Sequence, residues 1–293
     1  MAAETTSRCI LCGAPQTVRH VFGAHRVAYC RACELAQLWP LPSAAELAAL
    51  YASDAYWEGG DRVGYGDYAR QAPQIRRSFR AKLAWLRRAG PVAALAEIGC
   101  GPGYLLEVAR AAGVGETVGV DRSPWAVARA RAAGLEVYEG SVEALPAGRS
   151  YDAVAMLDLL EHVPDPIPFL RAVADRLRPH GRLLIMVPNI RSLLARVSGR
   201  RWVSFKIPEH VVYYSPRSIR LVLARAGLEA TAIRPAVQWV TAGFALERLG
   251  RLLPPLGRLR GPLRALGLAE RVLPVSNGSI DVLARVASDH PAS

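Results

Sequence analysis

The stretch from Leu95 to Gly113, LAEIGCGPGYLLEVARAAG, narrows the possible folds more than any other part of the chain. An apolar run stops in Gly99, Gly101 and Gly103 and resumes at once as a helical pattern closed by Gly113. A strand that passes into a helix through alternating glycines lets the main chain take positive φ and press close against a ligand. The same alternation continues downstream. Strand patterns at ETVGVD, LEVYEG, YDAVAMLD and GRLLIMVPN are separated by helical ones, SPWAVARARAAG and PIPFLRAVADRLR. Ser123 is placed as an N-cap, Pro124 at the first helical position and Gly134 at the C-terminal end of the first of these helices. Strand–helix alternation predicts a doubly wound α/β sheet with its ligand at the carboxyl ends of the strands.

Two kinds of nucleotide cofactor fit such a turn. A dinucleotide fingerprint, G-x-G-x-x-G, would place its third glycine at Tyr104, and it is absent. The spacing present is Glu97-x-Gly99-x-Gly101-x-Gly103. A carboxylate at Glu97 is badly placed beside a pyrophosphate and suits a ligand carrying an ammonium and a sulfonium. Asp121, closing the second strand, is placed to accept both hydroxyls of a ribose.

Four of the five cysteines lie near the N-terminus as Cys9-x2-Cys12 and Cys30-x2-Cys33, seventeen residues apart. This is zinc-site spacing: each turn aims two thiolates at one point, and two turns close a tetrahedron. A full set of four thiolates predicts a structural ion, with His20 and His25 on the intervening hairpin left over. Disulfides are the competing reading, which a reducing compartment disfavours. The start, MAAETTSRC, lacks a signal-peptide pattern, and no apolar run reaches the roughly 18 residues of a spanning helix. A cytoplasmic location is therefore expected.

The net charge of +12 comes almost entirely from arginine, since Lys82 and Lys206 are the only lysines. Such a balance suits a nucleic-acid binder or a protein at an anionic membrane surface, and equally a biased composition on a solvated face. The expected organisation is a zinc ribbon over 1–40, linker and cover helices over 41–91, and an α/β core over 92–290. Within 41–91, Ser43 opens a short helix, and a longer one carries Ile75, Phe79, Leu83 and Leu86 before Gly90.

Over roughly residues 65–286 the chain resembles the class I S-adenosylmethionine-dependent methyltransferases. The residues carrying the likeness are EIGCGPGYL, Asp121, GSVEALP, YDAVAMLDLLEHVPDP and LRPHGRLLIMVPN. The resemblance implies a Rossmann-like, seven-stranded, mostly parallel sheet whose last strand, SIDVLARV, runs antiparallel. It implies that Arg122 follows the ribose-binding Asp121, that Ser141 and Val142 flank the adenine, and that Leu157 and Asp158 floor the cofactor. Tyr65 or Tyr68 is expected to close over the methionine end. The ribbon, LWPLPSAAELAALY and PEHVVYYSPRSIRLVLARAGLE add a narrower likeness to a bacterial subgroup with a ubiquinone-O-methyltransferase-like core. That subgroup often acts in surface-glycan, lipid or secondary-metabolite pathways.

A sulfonium carries an already activated methyl, so such a protein chiefly orients a nucleophile and excludes water. A base is needed only where the acceptor must lose a proton. His162 and His210 are the candidates for that role, each also readable as a residue that pins its own loop. Cys100 is expected to be a small buried residue of the turn. Asp158, Glu161 and His162 form D-x-x-E-H, similar to the E-x-x-E-H stretch of ubiquinone-pathway O-methyltransferases, where the trio implies a divalent ion such as Mg2+.

Two inserts interrupt the core. Residues 190–207 are expected to wall the acceptor pocket with Trp202, Phe205 and Tyr213 as its aromatic side. Residues 244–274, with leucines at helical spacing, arginines between them and Pro254, Pro255 and Pro262 as breaks, suit a lipid-like acceptor, a membrane surface, a helical cap or a dimer contact. The expected reaction is methylation, at oxygen, of a small-molecule, glycan or lipid-linked acceptor. The alternative is an RNA methyltransferase using the ribbon to hold substrate. Against RNA stand the absence of a lysine-rich patch and the VPN sequence, which is not the N/D-P-P-Y/F signature of base N-methylation.

Overall fold

The computed structural model describes residues 8–43, 45–47, 71–252, 255 and 258–287. Tyr65 and Tyr68 lie outside the described residues.

The N-terminal part is a ribbon of three antiparallel strands, β1 (Thr17–Phe22), β2 (His25–Tyr29) and β3 (Ala36–Trp39). Each cysteine pair closes a tight turn. The amides of Gly13 and Glu34 donate to the carbonyls of Cys9 and Cys30 over 2.9 Å each. The residue after each second cysteine adopts left-handed backbone, φ 70° at Gly13 and 64° at Glu34. Beyond the ribbon, Ser43 caps the next helical turn: its hydroxyl accepts from the Glu46 amide at 3.2 Å, and Glu46 accepts from the Ser43 amide at 2.7 Å.

The amphipathic helix α1 (Ala72–Arg88) buries Phe79, Lys82, Leu83 and Leu86. The alternating core follows as β4 (Ala94–Ile98), α2 (Tyr104–Ala111), β5 (Glu116–Asp121), α3 (Pro124–Ala132), β6 (Glu136–Glu139), β7 (Tyr151–Leu157), α4 (Pro166–Ala174) and β8 (Leu177–Pro188). The Ser123 cap and the proline at the start of α3 form as expected, the hydroxyl accepting from the Ala126 amide at 3.3 Å. After α5 (Leu193–Ser198) come β9 (Val212–Tyr213), α6 (Pro216–Arg225), β10 (Leu228–Pro235), β11 (Gln238–Thr241), α7 (Ala242–Leu252), α8 (Arg260–Ala265), β12 (Val272–Val275) and β13 (Ser279–Val286).

The main sheet has seven strands in the order β10-β13-β8-β7-β4-β5-β6. β13 runs antiparallel to both its neighbours, while the pairs from β8 through β6 are parallel. The central strand β4 is buried at all five positions, as a strand covered by helices on both faces must be. This is the Rossmann-like sheet that the sequence resemblance implied.

Two features depart from expectation. The ribbon's sheet extends beyond residues 1–40: β3 pairs with β9, so the core supplies its fourth strand. The 244–274 segment is not made of broken helices alone. Its end folds as β12, which pairs with β11 from Gln238↔Val275 to Thr241↔Val272, a long-range pairing that a local helical period conceals.

Candidate active site

At the carboxyl ends of β4, β5 and β7 lies a cavity of about 160 Å³, lined by Glu97, Gly99, Gly101, Asp121, Ser141 and Asp158 among others. The turn is built by left-handed glycines, φ 72° at Gly99, 52° at Gly101 and 85° at Gly103. A side chain at Gly99 would come within 2.9 Å of Leu159. Asp121 organises the loop, accepting from the amides of Gly101 at 2.7 Å and Ser123 at 2.9 Å. Glu97 is 2 % exposed, and its Oε2 has no hydrogen-bond partner. Burial pushes its carboxyl well above the usual carboxylate range, and the nearby Asp121 charge adds to the effect. A buried acid with an open lone pair on a cavity wall is what a ligand ammonium would satisfy.

Leu157, Asp158 and Phe79 also line a second cavity of about 400 Å³ on the other side of them. Its walls come from α1, the loop after β8, the β11–β12 pair and α7. Lys82 and Lys206, the two lysines of the chain, both line it. Lys82 is itself buried, paired with Asp281, whose other oxygen accepts from Arg234 at 3.1 Å.

Where the two cavities meet lies a cluster of buried titratable groups. Asp158 adopts left-handed backbone, φ 54°, which is uncommon for a residue other than glycine and concentrates at functional sites. Burial pushes its carboxyl up to about 6. Glu161 is 0 % exposed, neither carboxylate oxygen has a hydrogen-bond partner, and burial with the Asp158 charge drives its pKa well up. His210 Nε2 stands 4.0 Å from Glu161 Oε1, and the His162 ring meets the His210 ring edge-on at 4.7 Å. Burial lowers His162 to about 3 and His210 well below its ordinary value, so both imidazoles are neutral.

Two sets of side chains are arranged as metal ligands. The sulfurs of Cys9, Cys12, Cys30 and Cys33 all lie within 4.8 Å of one another, with Cys9–Cys33 at 3.5 Å and Cys12–Cys30 at 3.4 Å. A zinc tetrahedron with bonds of about 2.3 Å has edges of about 3.8 Å, so the residues fit a zinc ion. The second set is Glu161, His162 and His210, whose ligand atoms also fall within 4.8 Å of one another. It differs from the expected Asp158, Glu161 and His162. Asp158 stays on the floor between the cavities, and the chain after β8 folds back to supply His210 in its stead.

Of the expected cofactor residues, Glu97, Gly99, Gly101, Asp121, Arg122, Ser141, Leu157 and Asp158 all line the first cavity. Gly103 and Val142 do not. Gly103 starts α2, and a side chain there would run into Leu135, so its glycine serves packing. Val142 is 1 % exposed and belongs to the core. Cys100 is buried against Gly119, as expected of a small residue in the turn. Phe79, Leu159 and Phe169, which sequence reasoning missed, complete the cavity. Phe79 gave only the signal of one more apolar position on α1. The 190–207 insert does wall the second cavity, but through Leu194, Val203, Ser204 and Lys206. Trp202, Phe205 and Tyr213 pack on one another instead, and Phe205 meets the ribbon's His20 at 5.1 Å and Phe22 at 5.3 Å.

Comparison with known proteins agrees with this geometry. A family model described as a methyltransferase domain matches residues 68–233. The mitochondrial ubiquinone biosynthesis O-methyltransferase of Schizosaccharomyces pombe is 30% identical over 169 residues, covering 55% of this chain and 57% of that protein. The Ralstonia nicotianae ubiquinone biosynthesis O-methyltransferase is 31% identical over 169 residues, covering 52% of this chain and 71% of its own. The chain thus spans little more than half the length of the first relative. Among solved structures, a Haloferax volcanii methyltransferase in complex with the Trm112 methyltransferase activator superposes with a TM-score of 0.55 at 19% identity, over 83% of this chain and 98% of that one. The CcbJ methyltransferase of Streptomyces caelestis gives 0.51 at 15%, with the same coverage of 83% and 98%. With the glycine turn, the acid after the second strand and the strand order all in place, the chain belongs to the methyltransferase-domain family and has the class I fold.

Proposed function

We propose that this protein transfers the methyl group of S-adenosylmethionine to a hydroxyl oxygen of a small, largely apolar acceptor, the reaction class for which its ubiquinone-pathway relatives are named. The observation that carries the reading is Glu161: a fully buried carboxyl with both oxygens unpartnered, beside His210, where the two cavities join.

Bound adenosylmethionine supplies the activated methyl. Glu97 holds its ammonium, Asp121 its ribose hydroxyls, and Ser141 and Arg122 line the adenine side. Leu157 and Asp158 form the floor past which the methyl faces the second cavity. Phe79 and Phe244 exclude water there, which strengthens every electrostatic contact inside. His210, neutral at physiological pH, takes the proton of the acceptor hydroxyl, its Nε2 standing 4.0 Å from Glu161. Glu161, His162 and His210 also fit a divalent ion; with one held there, the ion would lower the pKa of the acceptor hydroxyl and His210 would be its ligand instead of the base. The four cysteines hold a structural zinc.

The size and apolar walls of the second cavity support a small-molecule or lipid-linked acceptor. RNA is less well supported, because both lysines line this cavity, Lys82 paired with the buried Asp281, and so form no exposed phosphate-binding patch. A lipid-linked acceptor also agrees with α7, which lines the cavity with Phe244, Arg248 and Leu249 and leaves Leu249 44% exposed. That arrangement supports peripheral contact with the inner face of an anionic membrane.

Labelled methyl transfer into fractionated cell extracts tests the proposal. Label is expected in the small-molecule or lipid pool and absent with His210→Asn. Label confined to RNA would overturn it.

A further inference from the structure

We propose that the zinc ribbon is the positioning element of the acceptor site: folded around its ion, it holds the His210 loop and the 190–207 wall in place. The inference rests on the reading that Glu161 and His210 face the acceptor.

The connection is a continuous hydrogen-bonded path. The second cysteine turn leads directly into β3, since the Cys30 amide donates to the Leu35 carbonyl at 2.8 Å. Gln37, on β3, ties that strand to the first cysteine turn, its Oε1 accepting from the Ile10 amide at 3.0 Å. Both turns thus brace one strand. The outer edge of β3 then pairs with the catalytic loop: Ala36 faces Tyr213, Gln37 faces Val212, and the Leu38 amide donates to the Val211 carbonyl at 2.8 Å. Val211 passes the contact on, its own amide donating to the Glu161 carbonyl at 2.8 Å. His210 is therefore fixed between a ribbon strand and the residue it is meant to act with.

A second contact reaches the wall of the cavity. His20 and Phe22, on the ribbon hairpin, enclose the Phe205 ring, which also packs on Trp202 at 5.2 Å and Tyr213 at 5.3 Å. The residues on either side of Phe205, Ser204 and Lys206, line the acceptor cavity. Arg225 closes the arrangement by donating to the Leu11 carbonyl within the first cysteine turn. Among the described residues, none of the ribbon lines the cofactor cavity.

A short sheet without much core of its own depends on its metal for order, and a four-cysteine turn pair loosens when the ion leaves. Losing zinc should then free the edge of β3 and, with it, residues 204–214, while the glycine turn stays folded.

The test uses the full chain with zinc bound, stripped by a chelator, and reloaded with zinc alone, the metal content being measured each time. Hydrogen exchange read by mass spectrometry is expected to quicken at least about tenfold in peptides covering 204–214 on stripping and to recover on reloading. Peptides covering 94–103 and 116–123 should keep their protection. S-adenosylhomocysteine affinity by calorimetry should stay within about twofold, while labelled transfer into a fixed extract falls at least about tenfold. Phe22→Ala, which leaves all four cysteines and the metal content intact, should quicken exchange in 204–207 and slow transfer in the same direction. Unchanged protection of 204–214 without zinc would overturn the inference, as would parallel loss of homocysteine-product binding, which would mean that the ribbon merely keeps the whole chain folded. If 204–214 loosens as expected but His210→Asn transfers methyl at the wild-type rate, the ribbon does position the loop, and it is the acceptor reading that falls.

Discussion

Under the proposed function, Glu97 links the fold to the cofactor through one buried carboxyl. Without a ligand, burial keeps its carboxyl protonated well above the ordinary value, so folding favours the neutral form. The stability this contributes is full below the unfolded-state pKa and is lost as pH rises through the raised folded value. A ligand ammonium reverses the preference, because an adjacent positive charge favours the carboxylate. Adenosylmethionine binding should therefore release a proton and tighten as pH rises, which calorimetry in buffers of different ionisation enthalpy would register. Glu97→Gln should weaken binding by about 1.5–3 kcal/mol, roughly ten- to hundredfold, and abolish the proton release. Gly103 behaves differently. Gly103→Ala forces a side chain into left-handed backbone and against Leu135, so thermal unfolding should show a loss of about 1–3 kcal/mol, with cofactor affinity changed less than by Glu97→Gln.

At the scale of elements, α1 is a wall of both cavities and not only a cover over the sheet. It is fastened to the last strand by the buried pair Lys82–Asp281 and to β11 by Ser78, whose hydroxyl accepts from the Trp239 amide at 2.8 Å. Asp281→Asn would leave the Lys82 charge uncompensated in a site 1 % exposed, and urea unfolding should show a destabilisation of about 3–5 kcal/mol. The helix α7 has a different duty. Phe244→Ala should raise KM for the acceptor while leaving the S-adenosylhomocysteine Kd within about twofold, because Phe244 lines only the second cavity. A matching loss of product affinity would show that the two cavities are not separate compartments.

At the scale of the whole molecule, the surface of α5 and the 244–274 segment gathers exposed apolar side chains. Leu193 is 76% exposed, Val197 77%, Leu259 51% and Leu266 71%. Arginines at 191, 196, 200 and 258 accompany them. No helix among the described residues is long and apolar enough to cross a membrane. Co-sedimentation with vesicles rich in phosphatidylglycerol should carry the protein down at low salt, and Leu193→Ser with Val197→Ser should reduce that binding severalfold. Equal recovery with neutral vesicles, or with the double variant, would point to the helical-cap role instead.

The convergence of Glu97, Gly99, Gly101 and Asp121 on one cavity was legible in the sequence because it is local. Glu97, the glycines and Asp121 act through strand ends and one turn, and strand–helix alternation already fixes which edge of the sheet they share. The cysteine pairs were legible for the same reason: each turn is short enough to set its own geometry. Gly103 and Val142 do not line that cavity, and along the chain a glycine or valine beside a ligand reads the same as one serving packing. The acceptor half required the tertiary structure. His210, Lys82, Phe244 and Glu161 come from segments up to 162 residues apart, and nothing local marks that they converge. Neither the exchange of Asp158 for His210 in the ligand set nor the pairing of β3 with β9 has a periodic signature. Both arise from long-range packing, which selects among partners that look equivalent along the chain.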